Sequence, residues 1–377
     1  MKKNLVLISL DTVRADVGYS GKFPTINTLR RHGATFLNSV SSSPLTPVSH
    51  STVLTGLQPY HHGVRHLFKE QLKAGVKTIA QHMKSHGYIT GAIVSCPGMN
   101  KWYGFSKGFG VYDDEIPRLV DGSDPLKTVD VKLRGTALKR ADVVVERGIK
   151  WLEANKDKNF FLFLHFFDAH WPYKAPHKFG GRNAYESEVA YTDHYLGIFF
   201  KYLKRVKLLD STAIVCFSDH GEDLAGMYRN DKSSKRLGHP EESGHGCLLY
   251  DQTQKTVLIF VDNKIRPGTV INNQVRLVDI VPTILELFNI KYRPNSFDGT
   301  SLVPILQGRG SRDLIGYSET FYPEEQTAAT RGKFSHVKNK KALRLDNKYK
   351  IIFHLNSEMV ELYDLENDPN ELTNLIG

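Results

Sequence analysis

The sequence predicts an α/β fold built on a mostly parallel sheet, and three observations carry that reading. Apolar, β-branched runs alternate with stretches of helical periodicity. Short strands bounded by helices suit a sheet covered on both faces. Asp11, Asp168, Asp219 and His220 each fall at or just after the end of such a run, where open sheets of this kind bind their ligands.

Taken in order, Leu5–Leu10 reads as a first buried strand and Thr25–His32 as a helix. Pro47–Leu54 reads as a second helix, because Pro is favoured at the first helical position and Thr46 before it is a good N-cap. Thr78–His86 continues as helix and Tyr88–Ser95 as strand. The pattern repeats in Leu138–Ala154 (helix), Phe160–Phe167 (strand), Glu186–Val206 (helix) and Thr212–Ser218 (strand), then Val257–Val261 (strand) and Asp279–Phe288 (helix). After Gly308-Arg309-Gly310 the texture changes: Lys338–Lys341 reads as a charged turn, Tyr349–Leu355 and Leu362–Leu365 as strands. This places a boundary near Ser311, with residues 1–310 as the catalytic domain and 311–377 as a small subdomain. The polar stretch Arg229–Glu242 reads as a mobile loop over the site.

Composition sets the outer limits. A chain of 377 residues, 40% hydrophobic and 24% charged, is an ordinary globular chain with length for a large core. The formal charge of +10 favours an anionic substrate or polymer. No Arg-rich arm, zinc finger or RNP-type motif is present, which disfavours a dedicated nucleic-acid module. The cysteines Cys96, Cys216 and Cys247 are widely spaced and form neither a metal-type pair nor a disulfide framework, so a reducing compartment fits. Lys2 and Lys3 before Leu5–Leu10 imitate a signal peptide, but the apolar run is six residues long and stops at Asp11. The expectation is a cytoplasmic protein. No run reaches the roughly 20 apolar residues a membrane span needs, so no span is expected.

Thr46 is the candidate nucleophile. At a helix N-terminus its hydroxyl stands where free N–H groups and the macrodipole attract an anion. The stretch Thr46-Pro47-Val48-Ser49-His50, followed by Leu54-Thr55-Gly56, resembles the signature of sulfatases and their relatives in the alkaline phosphatase superfamily. Thr46 takes the nucleophile position there; Val48 and His50 depart from the usual Pro and Arg. The resemblance runs through almost the whole chain: Leu7–Asp16, Phe217-Ser218-Asp219-His220-Gly221-Glu222, Val278–Leu285, Asp298–Leu302 and Glu361–Pro369. It implies a three-layer sandwich around a mostly parallel sheet, with a small C-terminal antiparallel subdomain.

The resemblance also implies roles. Asp11 takes a metal-ligand position, with Thr12 where many sulfatases have a second Asp, which weakens an all-oxygen calcium site. His220 stands where sulfatases often have Asn, and imidazole suits zinc or manganese better than calcium or magnesium. Asp11, Thr46, Asp219 and His220 then form a first metal site. Asp168, His170 and His245 form a second site or contact the substrate, and two ions would clamp both oxygens of an in-line displacement. His50, one turn beyond Thr46, reads either as a helix-surface residue or as a group orienting Thr46 or the substrate. The catalytic candidates are thus Thr46, His50, His170 and His245.

Sulfatases use a Cys or Ser oxidised to formylglycine, whose hydrate attacks sulfur. Thr46 carries a methyl at the carbon that would become the aldehyde and cannot supply that diol. The sequence reading therefore prefers a hydrolase or transferase of phosphoric esters, monoester or diester, working through a phosphorylated Thr. The alternatives are a sulfuric ester hydrolase without formylglycine and a silent binding protein that keeps the fold. An anionic small molecule, a glycan or a lipid-headgroup ester is the expected partner, and the oligomeric state is open.

Overall fold

The structure, a computed structural model, describes residues 4–118, 139–176, 178–224, 239, 242, 244–310, 313–329 and 338–376. In chain order its strands are β1 (Asn4–Leu10), β2 (Ala34–Val40), β3 (Ile89–Ile93), β4 (Val111–Asp113), β5 (Phe160–Phe166), β6 (Thr212–Phe217), β7 (Lys255–Thr256), β8 (Leu258–Val261), β9 (Thr269–Arg276), β10 (Gly316–Thr320), β11 (Lys340–Leu345), β12 (Tyr349–His354) and β13 (Val360–Asp364). Its longer helices are α1 (Pro24–His32), α2 (Thr46–Thr55), α3 (Ile79–Ser85), α4 (Ala141–Glu153), α5 (Ala184–Arg205), α6 (Ile280–Leu287) and α7 (Tyr322–Ala329). The chain gathers into two compact units. The first holds Met1–Thr35, Gly75–Ser218 and Leu258–Thr269; the second holds Phe36–Ala74, Asp219–Val257 and Val270–Gly377.

The first unit is the predicted parallel sheet. Its strands run in the order β4-β3-β5-β1-β6-β8, all parallel except β8, which is antiparallel to β6. β1 lies in the middle, with Leu7 opposite Phe163 of β5 and Val215 of β6. β1, β5 and β6 are buried along their whole length, as apolar strands of a covered sheet must be. Helix α4 packs so tightly that a Cβ on Gly91 of β3 would stand 2.4 Å from the Trp151 ring. Helix α1 has no side-chain cap of its own. Asp193 of α5 replaces it, accepting the N–H groups of Thr25 at 3.0 Å and Ile26 at 2.8 Å.

In the second unit, β2 pairs antiparallel with β7 and also with β9. Helix α2 is buried at every position. Its C-terminus closes on Gly56 at φ +69°, where a Cβ would meet the Phe297 ring at 2.8 Å. The Gly56 carbonyl then accepts the N–H of Asp298 at 3.0 Å, and the Asp298 carboxylate accepts the Gln58 N–H at 2.7 Å. The Asp298-Gly299 segment is thus a clasp on the end of α2.

A separate antiparallel sheet follows, in the order β10-β11-β12-β13. Its covered face mixes charge with the apolar residues Ala342, Ile352 and Tyr363. The covered face carries Lys340, Arg344, Lys350, His354 and Glu361, while Tyr349 and Phe353 point to solvent at 39% exposure each. The buried charges are paired: Arg344 with Asp251 at 2.5 Å, and Lys350 with Asp251 at 3.1 Å and Glu371 at 2.7 Å.

Several sequence expectations change. Lys340 and Lys341 open β11 rather than forming a turn, because Lys340 is buried and its ammonium donates to the Lys338 carbonyl at 2.9 Å. Thr46 is the first helical residue, not the cap. Leu45 takes the extended cap conformation, and its carbonyl accepts the Ser49 N–H at 2.9 Å. The stretch Arg229–Glu242 lies outside the described residues except for His239 and Glu242, which are buried. Among the described residues no helix is long and apolar enough to cross a membrane.

Glu361 gives this sheet a pH signature. Burial raises its pKa, but hydrogen bonds from His354, Tyr363 and Tyr250 outweigh burial and hold it at about 2. A carboxylate held below its unfolded value stabilises the fold above that value and loses the contribution as pH falls towards the folded one. Glu361→Gln should therefore lower the melting temperature at pH 7. The gap to wild type should close between about pH 5 and pH 2; thermal denaturation across that range checks it, and a constant gap would refute it.

Candidate active site

In the second unit the site starts from the first turn of α2. Thr46 is 7% exposed, and its hydroxyl makes no capping bond. It stands 3.4 Å from Nε2 of His220. Nδ1 of His220 lies 2.9 Å from the Gly221 carbonyl, so that nitrogen carries the proton and Nε2 presents a lone pair. The Asp219 carboxylate oxygen Oδ2 is 3.3 Å from the same Nε2. Two acceptors at that separation repel unless a positive charge sits with them. The donor set here is carboxylate, imidazole and hydroxyl, all buried, which fits a divalent cation of intermediate softness. The commitment of the other imidazole nitrogen to a carbonyl is the usual arrangement behind a metal-binding histidine.

The surroundings hold this set in place. The Ser49 hydroxyl donates to the Asp219 carbonyl at 2.8 Å. His50 is fully buried rather than on the helix surface. Its Nδ1 donates to the Thr46 carbonyl at 2.8 Å and lies 3.4 Å from Oδ2 of Asp219, so it orients both. Gly221 has no substitute, since a Cβ would come within 2.0 Å of the Gln252 carbonyl. The His245 ring packs at a tilt of 41° against His220 with ring centroids 4.3 Å apart, and its Nδ1 is 3.1 Å from the Glu222 carboxylate. Burial, and then His220, keep the His245 pKa well below the ordinary histidine range.

In the first unit Asp11 follows β1 directly, and its N–H continues the ladder to the Phe166 carbonyl at 2.9 Å. The next residue, Thr12, has φ +58°, a costly conformation for a β-branched side chain. Tyr185 braces that turn. Its hydroxyl donates to the Thr12 carbonyl at 2.8 Å and accepts the Arg14 N–H at 2.9 Å. Asp11 itself is fully buried, with Oδ2 3.1 Å from Nε2 of His165.

The structure gives Asp168 a partner within the first unit. Its Oδ1 lies 3.0 Å from the Arg140 guanidinium and 3.2 Å from the Ala141 N–H at the start of α4. Arg140 also pairs with buried Glu188 at 2.9 Å and stacks over Tyr191. The other oxygen of Asp168, Oδ2, is buried and accepts no hydrogen bond among the described residues. Burial pushes its pKa up to about 7, against the lowering pull of Arg140. His170 stacks on Phe167 at 4.2 Å and bonds the Trp171 carbonyl at 2.7 Å. Thr46, His50, Asp219, His220 and His245 thus lie together in the second unit, whereas Asp11, Asp168 and His170 belong to the first. Sequence reasoning gave no role to Glu222 and passed over His165, a lone polar residue inside the apolar run Phe160–Phe167.

Comparison with known proteins agrees with the fold. The sulfatase family model matches residues 3–290, and a model described as N-sulphoglucosamine sulphohydrolase, C-terminal, matches residues 246–377. An arylsulfatase of Clostridium perfringens is 24% identical, with 100% of this chain and 91% of that protein covered. Arylsulfatase K of Xenopus laevis is 22% identical, covering 94% of this chain and 74% of that protein. Among solved structures, one in complex with its substrate D-glucosamine-2-N,6-O-disulfate has a TM-score of 0.76 at 17% identity, covering 100% of this chain and 94% of that one. The phosphonate monoester hydrolase of Agrobacterium radiobacter has a TM-score of 0.75 at 19% identity, covering 99% and 91%. At these identities the structures carry the fold and not the substrate.

Asp168→Asn separates a structural carboxylate from a ligand. It should lower stability by about 1.5–3 kcal/mol, the worth of a charged hydrogen bond, and leave metal content unchanged. Calorimetry with elemental analysis of the variant checks both; a loss of bound metal would return Asp168 to the ligand set.

Proposed function

The chain belongs to the sulfatase family, and we propose that within it this protein is a metal-dependent hydrolase of sulfuric esters on an anionic glycan, working without formylglycine. The observation that carries the reading is the Thr46 hydroxyl, buried beside His220 and Asp219 and unused for capping. The sulfuric ester is supported by the relatives, which are arylsulfatases, and by the disulfated glucosamine bound to a structural neighbour. This weighs towards the alternative of the sequence reading over its preference for phosphoric esters. The net charge of +10 suits an anionic glycan.

Members of the family generally hold a divalent metal. Asp219, His220 and Thr46 are the residues of the second unit proposed to hold it, and Asp11 of the first unit keeps the metal-ligand role that the sequence resemblance implies. Mixed oxygen and nitrogen donors favour zinc or manganese. Such an ion supplies Lewis acidity, lowering the pKa of a bound hydroxyl and offsetting charge on the transferring group. The Thr46 oxygen bonds to the central atom as the bond to the alcohol breaks, and the alcohol leaves with a proton. Water then cleaves the Thr46 ester. His245, held through Nδ1 by Glu222, offers Nε2 as the acceptor of that water's proton. His50 keeps the Thr46 backbone in place throughout.

One observation favours a second reading. The Thr46 side chain cannot form the formylglycine hydrate, and a phosphorylated Thr is cleared by in-line attack more readily than a sulfated one must be. A phosphonate monoester hydrolase shares the fold. Initial rates on 4-nitrophenyl sulfate, 4-nitrophenyl phosphate and bis(4-nitrophenyl) phosphate, with added Zn²⁺ or Mn²⁺, decide. The sulfate should be fastest, and chelation should abolish turnover. Thr46→Ala should lower kcat/KM by about 10³-fold or more, with part of the rate kept in Thr46→Ser. A phosphate ester turned over faster than the sulfate would establish the second reading. No turnover of any ester would leave a silent binding protein.

We also propose a cytoplasmic location. Cys96, Cys216 and Cys247 are buried and none forms a disulfide, and burial pushes the thiols of Cys216 and Cys247 up, which disfavours the reactive thiolate. Thiol titration of unreduced, denatured protein isolated from its source should find all three free; a mixed or intermolecular disulfide would argue against it.

A further inference from the structure

His165 sits in the middle of the first unit, on β5, where every neighbour along the strand is an apolar residue. It is fully buried, and so is Asp11 on the adjacent strand end. Burying an imidazole among aromatic and aliphatic side chains is costly unless both ring nitrogens are bonded. Here both are. The backbone N–H of Ser95, just past β3, donates to Nδ1 at 3.2 Å. Nε2 lies 3.1 Å from Oδ2 of Asp11.

The two bonds together fix the proton. A backbone amide is only a donor, so Nδ1 must be the acceptor and Nε2 must carry the hydrogen. Asp11, His165 and the Cys96 sulfur also lie close enough to suggest a three-ligand metal site. The Ser95 amide argues against that. To ligate through Nε2 the ring would have to move its proton to Nδ1, where it would face the Ser95 hydrogen. His165 therefore acts on Asp11 and not on an ion.

We propose that His165 is a positioning residue for Asp11: its Nε2–H engages Oδ2 and leaves Oδ1 to serve as a metal ligand. This rests on the functional reading above. Hydrogen bonds of this kind orient a ligating carboxylate and raise metal affinity. Ser95 contributes through its backbone alone, so its side chain is not part of the device.

The test measures metal affinity, by titrating Zn²⁺ or Mn²⁺ into chelator-treated wild type, His165→Phe, His165→Gln and Asp11→Asn. Phe matches the strand's other residues and removes the donor. Gln keeps an N–H near the place of Nε2. His165→Phe should weaken binding by about 10–100-fold, and His165→Gln should recover most of that loss. Asp11→Asn should weaken it at least as much as His165→Phe. Nitrogen shifts of the wild-type imidazole should show the Nε2–H tautomer. A Nδ1–H tautomer, or unchanged affinity in His165→Phe while Asp11→Asn loses the metal, overturns the role of His165 alone. A wild-type protein that binds neither ion overturns the functional reading and this inference with it.

Discussion

Two acceptors held 3.3 Å apart, Nε2 of His220 and Oδ2 of Asp219, set the constraint on which the second unit depends. The His220 proton is directed at the Gly221 carbonyl, so Nε2 faces Oδ2 as a lone pair. Such an arrangement survives only if the backbone around it is fixed from several sides. The Ser49 hydroxyl pins the Asp219 carbonyl, His50 reaches Asp219 and Thr46 at once, and Gly221 lets the chain pass within contact of Gln252. Further out, the clasp of Asp298 and Gly299 on Gly56 stops the far end of α2 from fraying. The recurring segments of the sequence thus divide into those that carry chemistry and those that hold α2 still.

The first unit solves a different problem. Parallel strands deliver side chains from their carboxyl ends, but a strand end is free to turn away. Asp11 is kept in line because its amide continues the β-ladder while Thr12 takes the left-handed turn braced by Tyr185. The strain at Thr12 is the cost of turning the chain within one residue of a buried carboxylate. Asp168, at another strand end, shows what the same location does without such a turn. Its carboxylate becomes an anchor for Arg140 and the first turn of α4.

Much of this was legible in the residues, and the gaps have physical causes. The fully apolar runs around Leu7, Phe163 and Val215 announced buried parallel strands, because burial on both faces leaves no room for alternation. The strands β2, β9 and β10 went unread because their segments are half polar, and only their neighbours in the sheet bury them. Thr46 and His220 were legible as a pair of positions, but the 3.4 Å between them was not. The burial of His50 was hidden because helical spacing alone does not say which helix has no exposed face. His165 went unread although it is an imidazole in an apolar strand; its partner lies 154 residues away in sequence, which no local pattern reveals.

The charges buried under the four-stranded sheet have a consequence for how its register is chosen. In most half-covered sheets a slip by one residue is penalised because it turns the apolar side chains outwards. Here the same slip in β12 would turn Ile352 outwards but Tyr349, Ile351 and Phe353 inwards, so apolar burial alone does not forbid it. What forbids it is charge. Lys350 would leave Asp251 and Glu371, and His354 would leave Glu361. Strand alignment in this part of the molecule is therefore specified by buried ions, and it is as sensitive to the protonation of those ions as an ordinary sheet is to the size of its core residues.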